Sequence, residues 1–267
     1  MGCPANEITS CSKNIDKDDI ENTIPYIKII NNNERVISQN IQGFLNLQII
    51  TFLLHLHLEE RPIYLMRHGE SEFILEDRVG GDPSITEDGK KFSELLNKFF
   101  EKEKESIGWE NFTVYTSSLK RTIETAQHLH KENDIYDIQK PLKLLDEIHA
   151  GIWDSLTYAE IKERFPNIAE LRRKDKMGYR YPKGESYYDV INRIQPLIVE
   201  LERIKTPTVV ISHNAVLRCL YGYFAVLKVD SICDIEFPLH TVLKITPQTY
   251  GYQEEIFSFD INTGDIK

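Results

Sequence analysis

Residues 62–73 read PIYLMRHGESEF. An apolar run, Ile63-Tyr64-Leu65-Met66, opens at Pro62 and stops at Arg67-His68-Gly69-Glu70. The run has the length and the β-branched, aromatic content of a short buried strand. In an open α/β sheet, ligands sit beyond the carboxyl ends of the strands. Arg67 and His68 emerge at such an end, and Gly69 lets the backbone turn tightly. Arginine offers a planar fork of donors that fits phosphate and keeps its charge. A neutral histidine beside it can attack phosphorus through one ring nitrogen while the other fixes the tautomer. Taken alone, the pair fits an ordinary surface loop equally well.

Three more strand ends repeat the theme. Val209-Val210-Ile211-Ser212 ends in His213-Asn214, again a histidine where an apolar run gives way to a helix. VYTSSLKRT places Lys120 and Arg121 in the first turn of a helix, where basic residues oppose the helix dipole. That placement makes sense if an anion sits at the helix N-terminus. LLDEIHAG puts Glu147 just past an apolar run, where a carboxyl can protonate a leaving oxygen.

The chain of 267 residues is long enough for one good core plus an appendage. Its net charge of −10 argues against nucleic-acid binding and against an anionic membrane surface. A polyanionic substrate would therefore need a local basic cluster. Cys3, Cys11, Cys219 and Cys233 form no C-x-x-C or zinc spacing, so free thiols in a reducing, cytoplasmic setting are expected, with no metal. MGCPANEITSCSKN has no signal core, and Asn6 stands where a myristoylation pattern wants Ser or Thr. The apolar stretch 41–58 is interrupted by Gln42, Asn46, Gln48, His55 and His57, which predicts a buried helix and not a membrane span.

The spacing predicts a short strand at 26–30, a turn at NNNER, and a helix over 36–58. Strands follow at 63–66, FTVYTSS, KLLDEIHAG, TVVIS and HTVLKIT, the last of the series. Helices are predicted from Thr86 (as N-cap), from LKRTIETAQHLHK, from SLTYAEIKERFP closed by Pro166, from SYYDVINRIQPLIVELERI across Pro196, and after His213. Strands alternating with helices give a three-layer α/β sandwich with a central, mostly parallel sheet.

These residues resemble the histidine phosphatase superfamily, which includes the phosphoglycerate mutases. The nearer resemblance is to the bisphosphatase domain of the 6-phosphofructo-2-kinase/fructose-2,6-bisphosphatase family. IYLMRHGESE, RVGGD, TSSLKRTIETA, DEIHAG, LTYAEIKERFP, YRYPKGESYYDVINRIQPLIVELER, SHNAVLRCL and PLHTVLKITPQTYG carry it in order, from about 62 to 251. The segment 26–58 is similar to the end of that family's kinase domain. No G-x-x-x-x-G-K-[ST] loop accompanies it, so kinase activity is not expected.

The resemblance implies residues 1–60 as a kinase-derived appendage and 61–267 as the phosphatase domain. It implies His68 as the nucleophile that takes the 2-phosphoryl group of fructose 2,6-bisphosphate. Arg67, Arg121 and His213 would hold that group's oxygens, and the Gly80 N–H would lend a further donor. Glu147 would protonate the sugar oxygen and then activate water. Tyr158, Arg172, Lys176, Tyr187, Asn214 and Arg218 fall where the family binds the sugar and its 6-phosphate. No cofactor or metal is implied; the partner is a small phosphorylated sugar, and a homodimer stays open. Arg172 and Lys176, four apart, share one face if LRRKDK is helical.

The chain departs from the family at Ile74, where the family has Asn. It departs again at Glu76 (a basic residue, so that repulsion near the phosphate is expected), at His149 (Asp) and at Asn214 (Gln). Two other readings remain: a broader sugar-phosphate phosphatase or phosphoglycerate mutase, and a catalytically weak regulatory module.

Overall fold

A computed structural model describes residues 24–30, 35–55, 61–109, 111–129, 136–138, 141–248 and 251–267. The chain divides into two compact units at 58/59. In the first, strand β1 (Tyr26–Ile30) pairs antiparallel with β2 (Arg35–Gln39), and helix α1 spans Phe44–His55. The helix expected from residue 36 is thus a strand at its start. Val36 and Ile37 are β-branched and pair with Ile29 and Lys28, and Asn40 and Gly43 at positive φ end the hairpin. The NNN of the expected turn and residues 56–58 lie outside the described residues. Phe44, Leu45, Leu47 and Ile49 of α1 are exposed, contrary to the buried helix expected.

In the second unit β3 (Ile63–Arg67) leads through the short α2 (Glu72–Leu75) to α3 (Glu87–Ile107). Thr86 caps α3 by accepting from the Gly89 N–H, as its sequence position predicts. β4 (Phe112–Thr116) feeds α4 (Lys120–Thr125), much shorter than its sequence suggested, and β5 (Tyr136–Ile138) follows. α5 (Tyr158–Arg164) ends where α6 (Pro166–Lys174) begins: Pro166 both stops one helix and opens the next at N1, where its missing N–H costs nothing. α7 (Tyr187–Arg203) contains Pro196 without breaking. β6 (Thr208–Ser212), α8 (Asn214–Phe224), β7 (Thr241–Pro247) and β8 (Tyr252–Ser258) complete the unit.

The sheet order is β5-β4-β6-β3-β7-β8. β5, β4, β6 and β3 run parallel, while β7 and β8 add antiparallel at one edge. Every residue of β4 and β6 is buried, as expected for strands covered on both faces. Alternation along β3 separates the two cores. Ile63 and Leu65 join Val210, Leu243, Ile194, Leu197 and Leu217 beneath α7 and α8. Tyr64 and Met66 join Val209, Ile211, Phe92, Leu96 and Phe100 beneath α3. Each such side chain contributes about 1.5–3 kcal/mol by leaving water.

Two sequence expectations are corrected here, and one strand is added. KLLDEIHAG is not a strand but a single 3-10 turn at Lys143–Leu145 running into a loop. HTVLKIT is not the last strand, since β8 pairs along all of β7. The short edge strand β5 was not expected at all. Lys120 and Arg121 do open α4, but the anion at its N-terminus is internal: the Asp82 carboxylate accepts the Lys120 N–H at 2.7 Å.

Candidate active site

β3 and β6 are parallel neighbours, with Arg67 opposite Ser212. The next residues, His68 and His213, therefore leave the sheet side by side. The His68 N–H donates to the Ser212 carbonyl at 3.1 Å, and the ring centroids lie 5.1 Å apart. Both rings are buried. Arg121, from α4 beside β6, inserts its Nε between them, 3.2 Å from His68 Nε2 and 3.2 Å from His213 Nδ1. A guanidinium can only donate, so both of those ring nitrogens carry lone pairs. His68 Nδ1 lies 2.7 Å from the Gly69 carbonyl, which can only accept, so the proton is on Nδ1. Burial and the nearby Arg121 charge hold both imidazoles well below their ordinary range, only partly offset for His68 by the Gly69 carbonyl. The result is a neutral His68 whose Nε2 pair accepts from Arg121 and is the ring's one nucleophilic position.

Gly69 is fixed from two sides. Its N–H donates to Thr125 Oγ1 at 2.8 Å, and a Cβ there would meet Gly89 Cα at 2.8 Å. Only a glycine facing a glycine allows this approach.

Arg67, His68, Arg78, Gly80, Arg121, Glu147, Tyr158, Arg172, Tyr181, Tyr187, Asn214 and Arg218 line one cavity of about 280 Å³, together with Ser71, Phe73, Ile74, Asp77, Val79, Ile148 and Ala215. Five of these side chains are guanidiniums and two are carboxylates, so a basic cluster stands within an acidic chain. Arg67 donates to the Phe237 carbonyl at 3.1 Å, and its buried Nε has no partner among the described residues. Arg218 donates to the Tyr187 hydroxyl at 2.9 Å and to the Ile235 carbonyl; Arg172 donates to the Tyr181 hydroxyl.

The Glu147 loop has no ladder to hold it, and side chains do the work instead. Arg193 of α7 donates to the carbonyls of Leu144 and Asp146 at 2.7 and 2.9 Å while its Nε pairs with Glu185. Ser118 N–H and Oγ donate to the Asp146 carboxylate, and Ser212 Oγ donates to the Leu145 carbonyl at 2.8 Å. The Gly80 loop is stitched likewise: Arg121 Nη1 donates to the Gly81 carbonyl, and the Gly81 N–H donates to Asp154 Oδ1. Gly80 itself sits at φ +71, where a Cβ would fall 1.9 Å from Asp154 Oδ1.

The profile of the histidine phosphatase superfamily (branch 1) matches residues 63–258. The chain belongs to this superfamily. It is similar to a protein of Schizosaccharomyces pombe named "Probable fructose-2,6-bisphosphatase", with 41% identity over 86% of this chain and 54% of that one. A "6-phosphofructo-2-kinase/fructose-2,6-bisphosphatase" of Arabidopsis thaliana shares 45% identity over 86% of this chain and 30% of its own length. The chain thus spans about half, or less, of these relatives. Among solved structures, Bacillus stearothermophilus YhfR superposes with a TM-score of 0.61 at 26% identity, covering 72% of this chain and 94% of that one.

Of the residues singled out in this histidine phosphatase by sequence, ten line the cavity and two do not. His213 sits behind Arg121, fully buried. Lys176 lies beyond the end of α6, so it does not share a helical face with Arg172, and its Nζ donates to the Cys233 carbonyl at 2.8 Å. Glu76 is outside the cavity lining, exposed, and accepts from Arg78 Nε at 2.6 Å. Sequence reading missed Arg78, Tyr181, Arg193 and Thr125. Arg78 lies two residues before Gly80; the others act across the fold and leave no local pattern. Among the described residues, no group of three or more His, Cys, Asp or Glu is disposed to hold a metal, and no helix is long and apolar enough to cross a membrane.

Proposed function

We propose that the chain is a fructose-2,6-bisphosphate 2-phosphatase working through a phosphohistidine. The observation that carries this reading is the cavity itself. His68, whose Nε2 pair accepts from Arg121, lines it with Arg67, Arg121 and Glu147, and a second basic group, Arg172 and Arg218 with Tyr158, Tyr181 and Tyr187, lines the same space. Two basic groups suit a substrate with two phosphates. The names of the relatives point to the same sugar.

His68 Nε2 attacks the 2-phosphorus, and the P–O bond to the sugar breaks. Glu147 delivers a proton to the departing oxygen, releasing fructose 6-phosphate. Water then adds to phosphorus, its proton passes to Glu147, and the P–N bond breaks to give inorganic phosphate. Arg67 and Arg121 neutralise charge that develops on the transferring oxygens, aided by the Gly80 N–H, which donates to no protein group among the described residues. Asn214 offers a buried, unpartnered Oδ1, which suits a sugar hydroxyl. His213 belongs to the same catalytic group through Arg121. Residues 1–60 are read as the end of a kinase-like part, and the setting as cytoplasmic. A second reading, a slow phosphatase acting mainly in regulation, is favoured by Ile74, which lines the cavity without a donor.

Phosphate release without added metal, from fructose 2,6-bisphosphate, fructose 1,6-bisphosphate, 3-phosphoglycerate and 2,3-bisphosphoglycerate, tests the reading. The first should turn over fastest and yield fructose 6-phosphate. Faster turnover of either glycerate would overturn the assignment.

A further inference from the structure

Behind the two histidines runs a chain of hydroxyls that the proposed chemistry does not use. Ser117 Oγ lies 2.8 Å from His213 Nε2 and 2.7 Å from Thr122 Oγ1, and it accepts the Leu119 N–H at 3.1 Å. Thr122 Oγ1 in turn lies 2.8 Å from the Leu119 carbonyl and 3.2 Å from the Ser117 carbonyl. Ser117, Thr122 and His213 are all fully buried, so every proton in the chain must be placed among these partners.

The placement has one consistent solution. Carbonyls only accept, so the Thr122 hydroxyl proton goes to a carbonyl, and Thr122 Oγ1 must accept from Ser117. That commits the single hydroxyl proton of Ser117. Ser117 Oγ then has lone pairs for two donors: the Leu119 N–H and His213 Nε2–H. An independent constraint agrees, because Arg121 Nε donates to His213 Nδ1. In the opposite arrangement Ser117 would donate to Nε2, Nδ1 would carry the proton, and two buried donors would face each other at 3.2 Å.

We propose that Ser117, backed by Thr122, is a positioning residue that fixes His213 as the Nε2–H tautomer and fixes its ring rotation, so that Nδ1 always faces Arg121. His213 then serves as a neutral acceptor that, together with His68, pins the Arg121 guanidinium. Through Arg121 the serine aligns the donor fork with the phosphoryl group that His68 is to receive. The segment from the end of β4 through α4 thus serves both imidazoles: Thr125, the last residue of α4, accepts the Gly69 N–H beside His68, and Ser117 sets His213. This inference deepens the phosphohistidine reading given above, but its first readout does not depend on any substrate.

The experiment is nitrogen-15 NMR of histidine-labelled protein, with kinetics on the same samples. In the parent, His213 should show a protonated Nε2 and a bare Nδ1. Ser117→Ala should yield a mixture of tautomers and lower kcat by about 10- to 100-fold with KM changed little, the loss expected when a reacting geometry slackens. Ser117→Thr, which keeps the hydroxyl, should recover most of that loss. Thr122→Val removes the acceptor for the Ser117 proton without opening a cavity, so it should swing that proton toward Nε2 and shift His213 to the Nδ1–H form. If Ser117→Ala does not fold, Thr122→Val decides alone. A parent His213 in the Nδ1–H form, or variants that keep both the parent tautomer and its kcat, would overturn the proposal. Should the tautomer shifts appear while fructose 2,6-bisphosphate is not turned over, only the substrate assignment falls.

Discussion

His68 and His213 present their lone pairs to the same guanidinium proton: Arg121 Nε lies 3.2 Å from a nitrogen of each ring. The parallel register of β3 and β6 brings the rings to this distance, and α4 supplies the arginine between them. A lysine cannot reproduce a planar, side-on donor at that point. Arg121→Lys should keep the fold and lower kcat by about 10²–10³, the loss typical of one pre-aimed donor to developing charge. Steady-state kinetics with a thermal melt of the same sample checks it. A folded variant within threefold of the parent would mean that the bridge is incidental.

Both imidazoles are buried and held neutral, below the ordinary value of 6.5. In the unfolded chain each takes up a proton near that value; in the folded chain each resists. Between the two values the unfolded state binds more protons, so the stabilisation is complete above about pH 6.5 and is lost as pH falls toward the folded values. The slope is at most ~1.4 kcal/mol per pH unit for each ring. Urea midpoints between pH 7.5 and 5.5 should fall with acidification, and less steeply in His213→Gln. Equal slopes in parent and variant would contradict the buried, neutral His213.

Glu147 is assigned to protonate the leaving sugar oxygen, which matters most for a poor leaving group. Glu147→Gln should slow fructose 2,6-bisphosphate by about 10²–10⁴. It should slow p-nitrophenyl phosphate far less. Equal loss on the two substrates would give the carboxyl a structural role.

How much of this was legible in the sequence follows from the range of the interactions. Arg67, His68 and His213 were readable because a strand end followed by a polar turn is a local signal, and the parallel pairing of two such ends came with it. Glu147 was readable as a residue but not as a structure. Its segment looks like a strand, yet its backbone is held by Arg193 of α7 and Ser212 of β6, and its Asp146 carboxylate by Ser118 of the turn between β4 and α4. The helical face expected to be shared by Arg172 and Lys176 is absent because α6 ends before Lys176, with Asp175 already out of the helix at φ −137. β5 and β8 are edge strands, and edge pairing depends on the neighbour more than on the strand's own residues.

Ile74 lines the cavity on α2 with a side chain that offers no donor. Asparagine is close to it in bulk and could reach a phosphoryl oxygen from the same backbone position. Ile74→Asn should raise kcat at least several-fold, and by no more than about 10²–10³ if one pre-aimed donor is fully restored. Its melting temperature should stay near the parent's. A folded variant no faster than the parent would show that this missing donor does not limit turnover.

In the proposed reaction His68 carries the phosphoryl group between two half-reactions. Rapid acid-free quenching of the protein with fructose 2,6-bisphosphate labelled in its 2-phosphate tests it most directly. The expected result is a base-stable, acid-labile label that maps to His68, forms before free phosphate appears, and is absent from His68→Ala. A label on another residue, or phosphate release by His68→Ala at the parent's rate, would contradict it.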